Sequence, residues 1–273
     1  MSATVNPEVR PPDTEPRTGT IELADIAVRF RGRRREVTAL DGIGMDVAAG
    51  EFVAIVGPSG CGKSTLLKLV AGLLKPSAGR VLLHGEPVTG PRHDIGYVFQ
   101  RDALLEWRTA RRNILLQAEM RRMPAERARE RTAELVEMTG LAGFEDAYPY
   151  ELSGGMRQRV ALCRALLHEP PVLLMDEPFG ALDALTREQM NIELRRVWRA
   201  TRTTVVLVTH SIAEAVYLAD RVVVLTPRPG TVADVIATGL PADRPYAATV
   251  ARPDFGRATA RIRDLLGART AAD

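Results

Sequence analysis

The sequence predicts an α/β protein: a P-loop core built on a mostly parallel sheet, with an antiparallel β subdomain and an inserted α-helical subdomain. Three observations predict it. The apolar run Phe52-Val53-Ala54-Ile55-Val56 leads into Gly57-Pro58-Ser59-Gly60-Cys61-Gly62-Lys63-Ser64-Thr65 and then into a helical stretch ending at Ala71. That is the strand, loop and helix context that G-x-x-x-x-G-K-[ST] requires. Beyond Pro170-Pro171, apolar runs alternate with helical ones, as a parallel sheet demands. From Ala103 to Ala147 strand patterning stops and helical patterning replaces it.

Taken in order, Ile21 to Phe30 and Val37 to Val47 alternate apolar and polar residues and read as two strands, joined by a loop carrying Arg31, Arg33, Arg34 and Arg35. Lys75 to Gly79 is a turn cluster, followed by short strands at Arg80–Leu83 and Ile95–Phe99, the latter ending at Gln100. Asn113 to Met120 and Pro124 to Thr139 are helix candidates; Pro124 suits a first turn and Gly140 a C-terminal stop. A helix then opens at Ser153 and runs through Leu167, and Val172 to Met175 reads as a buried parallel strand. Asp183–Ala200 and Ile212–Ala219 are helical, alternating with strands at Thr204–Val208 and Arg221–Leu225. Tyr246 to Gly267 is expected to end in an amphipathic helix, with Ile262, Leu265 and Leu266 on one side. The expected organisation is a disordered leader over 1–18, a core domain over 19–243 with the helical subdomain at about 103–158, and a helical extension over 244–273.

Composition bounds the possibilities. The 273 residues, 45% of them apolar, can bury one substantial core. No window approaches the roughly 18 apolar residues of a membrane span. The Pro- and Arg-rich start has no apolar signal region, so a cytosolic protein is expected. A net charge of +3 does not call for nucleic acid. The arginines near Phe30, and Arg108, Arg111, Arg112, Arg121 and Arg122, read as solvated faces, with contact to anionic surfaces as the sharper alternative. Cys61 and Cys163 lack metal-site spacing. At a helix start beside Lys63, Cys61 is expected to favour the thiolate.

The loop residues point to a nucleoside triphosphate. Its glycines let successive N–H groups converge on an anion, Lys63 reaches the β- and γ-phosphates, and the Ser64 hydroxyl suits Mg²⁺. Val172-Leu173-Leu174-Met175-Asp176-Glu177 carries two carboxylates to a strand end, where ligands of parallel sheets collect. Asp176 can hold Mg²⁺ through water, leaving Glu177 to polarise an attacking water; the pair could also be surface residues of the next loop. Ser153, Gly154 and Gly155 open a helix and make either a second anion nest or a plain N-cap. His210 and Gln100 each end a strand, where a polar residue needs no special role.

With those motifs in place, residues 21 to 230 resemble the nucleotide-binding subunit of an ATP-binding cassette (ABC) transporter. Gly57 to Thr65 is similar to Walker A, Gln100 to the Q-loop, Leu152 to Met156 to the signature and Val172 to Asp176 to Walker B, followed by Glu177. Ala181-Leu182-Asp183 is similar to the D-loop and His210 to the switch histidine. The resemblance implies ATP and Mg²⁺ as ligands, with Gln100 on the metal side and as hinge to the helical subdomain. It puts His210 against the γ-phosphate and Glu177, and Phe30 in the place of the aromatic that stacks on adenine. It further implies a homodimer closing head to tail on ATP, so that Ser153 and Gly155 of one copy reach the phosphate held by Lys63 of the other, while Asp183 ties the sites together. Two integral membrane permease subunits and an extracytoplasmic solute-binding protein complete the implied assembly, at the cytoplasmic face of the cell membrane.

Leu104 to Thr109, Met175 to Arg187 and Ala219 to Gly230 are similar to the nitrate, sulfonate and taurine importer group, which includes relatives taking up pyrimidine precursors. Glu106 departs from the group's common Pro, and Ser211 from its common Asp after the histidine. Trp107 either helps form the groove for a permease helix or packs inside the helical subdomain. A soluble cassette ATPase acting on nucleic acid or ribosomes would carry coiled-coil insertions or two cassettes, and an exporter more often has fused membrane spans; neither pattern is visible.

Overall fold

The computed structural model describes residues 21–32 and 36–270. The expected leader over 1–18 and the arginines at 33, 34 and 35 lie outside the described residues. In chain order the elements are β1 (Ile21–Arg31), β2 (Glu36–Val47), β3 (Phe52–Val56), α1 (Lys63–Val70), β4 (Ala78–Leu83), β5 (Glu86–Pro87) and β6 (Ile95–Val98). There follow α2 (Ala110–Arg121), α3 (Ala125–Met138), a 3-10 turn at Pro149–Glu151, α4 (Gly154–Leu166), β7 (Val172–Asp176), α5 (Ala184–Thr201) and β8 (Thr204–Val208). The chain closes with α6 (Ile212–Leu218), β9 (Arg221–Leu225), β10 (Val232–Ala237), α7 (Tyr246–Val250) and α8 (Pro253–Thr270).

Two sheets form among these residues. One is antiparallel, in the order β2-β1-β4-β5; the other runs β10-β9-β3-β8-β7-β6 and is parallel except for β10. β3 explains how the layers stack. All five of its residues are buried, and because strand side chains alternate, Phe52, Ala54 and Val56 join one core while Val53 and Ile55 join another. The first core lies under α2, α4, α5, α6 and α8; the second is closed by α1 and the antiparallel sheet. A strand buried on both faces has no polar position to spare, hence its unbroken apolar run.

Register then decides where function can sit. Ile55 pairs with Val208, Asp176 with Val208 and Val98 with Met175, so β3, β8, β7 and β6 end at about one level. Their four following loops form a row along one sheet edge. The helices α2, α3 and α4 are inserted between β6, the edge strand at that end, and its neighbour β7.

Several element boundaries differ from the sequence pattern for local reasons. α2 starts at Ala110 rather than Asn113 because the Thr109 side chain accepts from the Arg112 N–H and caps it. β10 was not predicted: it is a largely half-exposed edge strand following Gly230, with no alternation to mark it, and it forms by pairing with β9. The C-terminal region is two helices; the first stops at Val250, and α8 restarts with Pro253 in its first turn. No helix among the described residues is long and apolar enough to cross a membrane.

Candidate functional site: a nucleotide cradle at the sheet edge

The loop after β3 is shaped by positions where a side chain cannot fit. Gly60 and Gly62 have φ of +76° and +102°, and a Cβ on Gly62 would lie 2.4 Å from the Leu40 side chain. With the backbone wound this way, the N–H groups leading into α1 face inward, where they and the helix dipole attract an anion. The Lys63 side chain folds into the same cradle and is only 6% exposed. Its ammonium donates to the Gly57 carbonyl at 2.8 Å and the Pro58 carbonyl at 3.0 Å.

Beside it, the Ser64 hydroxyl donates to Asp176 Oδ1 at 2.8 Å. Burial pushes the Asp176 carboxyl above its ordinary value; the Ser64 bond opposes this and the neighbouring Glu177 charge adds to it. These hard oxygen donors fit a small divalent ion, which keeps water and substrate oxygens as its other ligands. Among the described residues no group of three His, Cys, Asp or Glu forms a metal cage.

Glu177 leaves β7 in a left-handed conformation, φ 45°, while its N–H donates to the Val208 carbonyl at 2.8 Å. For a residue with a Cβ that conformation costs roughly 1 kcal/mol, and the anchoring bond to β8 holds it. The turn aims the carboxylate between its two neighbours in the row. Glu177 Oε2 lies 3.4 Å from Gln100 Nε2 and 3.3 Å from His210 Nδ1. Thr209 and Ser211 fix the histidine loop from behind: the Ser211 N–H donates to the Thr209 hydroxyl at 3.0 Å, and that hydroxyl is bonded to the buried Glu214 carboxyl. Ser211 also caps α6 by accepting from the Glu214 N–H, a local role for the departure noted in the sequence.

A cavity of about 500 Å³ joins these groups, with Phe30, Lys63, Ser64, Thr65, Gln100 and Glu177 in its lining. Phe30, in its lining, is 46% exposed. Ser153, Gly154 and Gly155 are absent from its lining. Ser153 caps α4, accepting from the Met156 N–H at 3.3 Å, so the N-cap role is real; it and Gly154 nevertheless stay exposed. Gly155 is packed so closely on α5 that a Cβ would come within 2.8 Å of the Thr186 methyl. Asp183 likewise caps α5 through the Thr186 N–H at 3.0 Å. Such caps contribute about 1 kcal/mol each and leave the helix starts rigid.

The loop after Gln100 is tied to α4 rather than to the sheet. Arg157 Nε donates to Asp102 Oδ2 at 3.0 Å, and Arg164 donates to the Asp102 and Ala103 carbonyls at 2.7 Å each. Further along, buried Asn113 accepts from the Leu105 N–H at 2.8 Å and donates to the Leu105, Arg108 and Thr109 carbonyls. It braces a loop on which Trp107 is 73% exposed, so Trp107 does not pack inside the helical subdomain.

A family model described as ABC transporter matches residues 40–180. The chain belongs to the ABC transporter family. It is 50% identical over 217 residues to an uncharacterised ABC transporter ATP-binding protein of Methanocaldococcus jannaschii, covering 79% of this chain and 80% of that one. Identity is 44% over 213 residues to a taurine import ATP-binding protein of Roseobacter denitrificans, with 78% and 80% coverage. It is also 44% over 223 residues to a nitrate import ATP-binding protein of Synechocystis, with 82% and 84%. The fold is similar to a dimeric bacterial ABC transporter cassette, at a TM-score of 0.71 and 34% identity over 80% of this chain and 98% of that one. A post-hydrolysis cassette dimer bound to ADP and Pi matches at a TM-score of 0.70 and 33% identity, with the same coverage. The protein is thus an ABC ATPase with the α/β cassette fold.

Two points correct or extend the sequence reading. Cys61 is 1% exposed, and burial, the largest influence, pushes its thiol above the ordinary value despite Lys63. Its thiolate is therefore not favoured: the helix start and the lysine are visible in the sequence, but the packing around the loop is not. Conversely Arg228, from the loop between β9 and β10, lines the cavity. In the sequence it stands only within the stretch Ala219 to Gly230 shared with the importer group, and with no motif around it nothing marks it as a cavity residue.

Proposed function

We propose that this ABC ATPase energises import of a small solute of the nitrate, sulfonate, taurine or pyrimidine-precursor kind. It acts at the cytoplasmic face of the cell membrane, bound to two integral permease subunits that receive solute from an extracytoplasmic binding protein. The names of the taurine and nitrate relatives support this reading. In the same reading, 19–243 is the ATPase domain with its helical subdomain at about 103–158, and 244–273 is an added helical extension. Trp107, braced outward, belongs to the permease-binding face.

One observation carries the mechanism: the phosphate cradle and the Ser153-Gly154-Gly155 cap belong to one chain but not to one cavity. Two copies closing head to tail on ATP would put each cap over the other's cradle. Phe30 stacks on adenine, and the N–H groups from Gly60 to Thr65 hold the phosphates. Lys63 exchanges the Gly57 and Pro58 carbonyls for β- and γ-phosphate oxygens. Ser64, Asp176 and Gln100 would hold Mg²⁺, which supplies charge neutralisation across the β- and γ-phosphates. Glu177 takes a proton from the attacking water as its oxygen bonds to the γ-phosphorus; the bond to the bridging oxygen breaks, and ADP leaves with the electron pair. His210 and Gln100, both within reach of Glu177 Oε2, orient that carboxylate and the γ-phosphate.

The deciding assay is ATP turnover of the complex purified with its permease, measured with the binding protein and each candidate solute. One of nitrate, alkanesulfonates, taurine or pyrimidine precursors should stimulate turnover several-fold. Stimulation by nucleic acid or ribosomes, with none by any solute, would point instead to the soluble class.

A further inference from the structure

Arg228 projects from the loop between β9 and β10 toward the outer lip of the phosphate cradle. Its guanidinium donates twice to one acceptor, the Gly60 carbonyl, from Nε at 3.2 Å and from Nη2 at 3.0 Å. Of its five N–H groups, three stay available, and the side chain is exposed. The loop that carries it is held on both sides. Thr226 and Thr231 bond across its base, the Gly230 N–H donates to the Ala39 carbonyl at 2.9 Å, and the Asp41 N–H donates to the Gly230 carbonyl at 3.0 Å. Gly230 lies so near the cradle that a Cβ there would sit 2.1 Å from the Cys61 carbonyl oxygen. A loop built this closely onto the cradle keeps the root of the Arg228 side chain beside it.

The charge balance gives this placement meaning. Among the described residues lining the cavity, the cations are Lys63 and Arg228, and Glu177 is an anion. A triphosphate brings three to four negative charges, for which Lys63 alone is a small counterweight. A planar guanidinium with free N–H groups is the side chain that best matches phosphate oxygens.

We propose, resting on the reading of this cavity as the ATP site, that Arg228 is a nucleotide-binding residue: it turns the Gly60 carbonyl away from the cradle and binds the polyphosphate of the same nucleotide with its remaining N–H groups. It acts on the phosphates and not on the base, so ATP and ADP should feel its loss while adenosine should not.

The test is binding of ATP, ADP and adenosine to the full chain and to Arg228→Ala and Arg228→Lys, by calorimetry and competition, with melting curves of each ligand-free protein. Arg228→Ala should weaken ATP and ADP about tenfold, the scale of a lost charge-assisted contact, and adenosine by less than about twofold. Arg228→Lys should recover part of the loss, and raising salt should weaken ATP binding to the wild type more steeply than to Arg228→Ala. Unchanged ATP affinity in Arg228→Ala, or an equal loss for adenosine, overturns the assignment and leaves a loop clamp only. A lowered melting point with intact affinity does the same. Failure of the wild type itself to bind ATP would overturn the reading of the cavity along with it, an outcome distinct from any of these.

Discussion

The two glycine-rich elements of this chain solve opposite problems. In the cradle from Gly57 to Thr65 the Lys63 and Ser64 side chains already have partners, the ammonium on two carbonyls and the hydroxyl on Asp176, and Arg228 donates to the Gly60 carbonyl. At Ser153-Gly154-Gly155 the bonds are those of a helix start, the Ser153 hydroxyl accepting from the Met156 N–H and the Ser153 carbonyl from the Arg157 N–H, and the first two residues face outward. The first element is pre-shaped for a ligand and holds its shape alone; the second is rigid in backbone but unfinished in bonding. In the proposed mechanism this exposed surface beside a tightly packed Gly155 is completed by the second copy.

That contrast predicts effects of graded size. The largest follows removal of the base: Glu177→Gln should lower the hydrolysis rate by about a thousandfold or more, since general-base contributions reach that scale. The variant should still bind ATP and run as a dimer in size-exclusion chromatography with ATP. A monomer under those conditions, or near-normal turnover, would contradict the role given to Glu177. Next, Ser153→Glu places a negative charge where a phosphate of the second copy is to arrive. Turnover should fall about a hundredfold while ATP affinity of the monomer changes less than about twofold, because like charges at close range cost several kcal/mol only once the copies meet. Equal losses in binding and turnover would show that the two elements are not separate after all.

The smallest effect belongs to the cradle's own strain. Asp176 has a folded-state pKa raised by burial, so the stability linked to its proton is complete below the ordinary carboxylate range and is lost as pH rises through the raised value. At neutral pH the ionised group is therefore a cost to the ligand-free protein. Asp176→Asn should melt about 2 °C higher near neutrality, lose that advantage at about pH 3.5, and lose hydrolysis at both. A melting point that falls on substitution at neutral pH would mean that the Ser64 bond outweighs the desolvation.

Much of this was readable from the chain alone, and the failures are instructive. The row of loops was legible because each follows a strand whose apolar run is unambiguous, and because Lys63, Asp176, Glu177 and His210 stand at fixed places after those runs. The edge strand β10 was not, since an edge strand takes its form from its partner β9 and carries no pattern of its own. Arg228 and the buried state of Cys61 were missed for a common reason. Both depend on contacts distant in sequence, the Gly230 loop lying on the cradle in one case and the packing of Cys61 into the core beneath α1 and the antiparallel sheet in the other, and no local spacing announces either. Trp107 was balanced between two readings until the Asn113 bonds showed how its loop is held away from the helices.

The three links from Arg157 and Arg164 to Asp102 and Ala103 carry a consequence of their own. α4 has the cap at its leading end and, along its side, grips the segment directly after Gln100. Any tug on the cap is thus felt two residues from a side chain in the hydrolytic pocket, through one stiff rod and a pair of guanidinium groups. In the proposed head-to-tail dimer, arrival of a second copy and readiness of the first to cleave its nucleotide would thereby be geared to a single moving part.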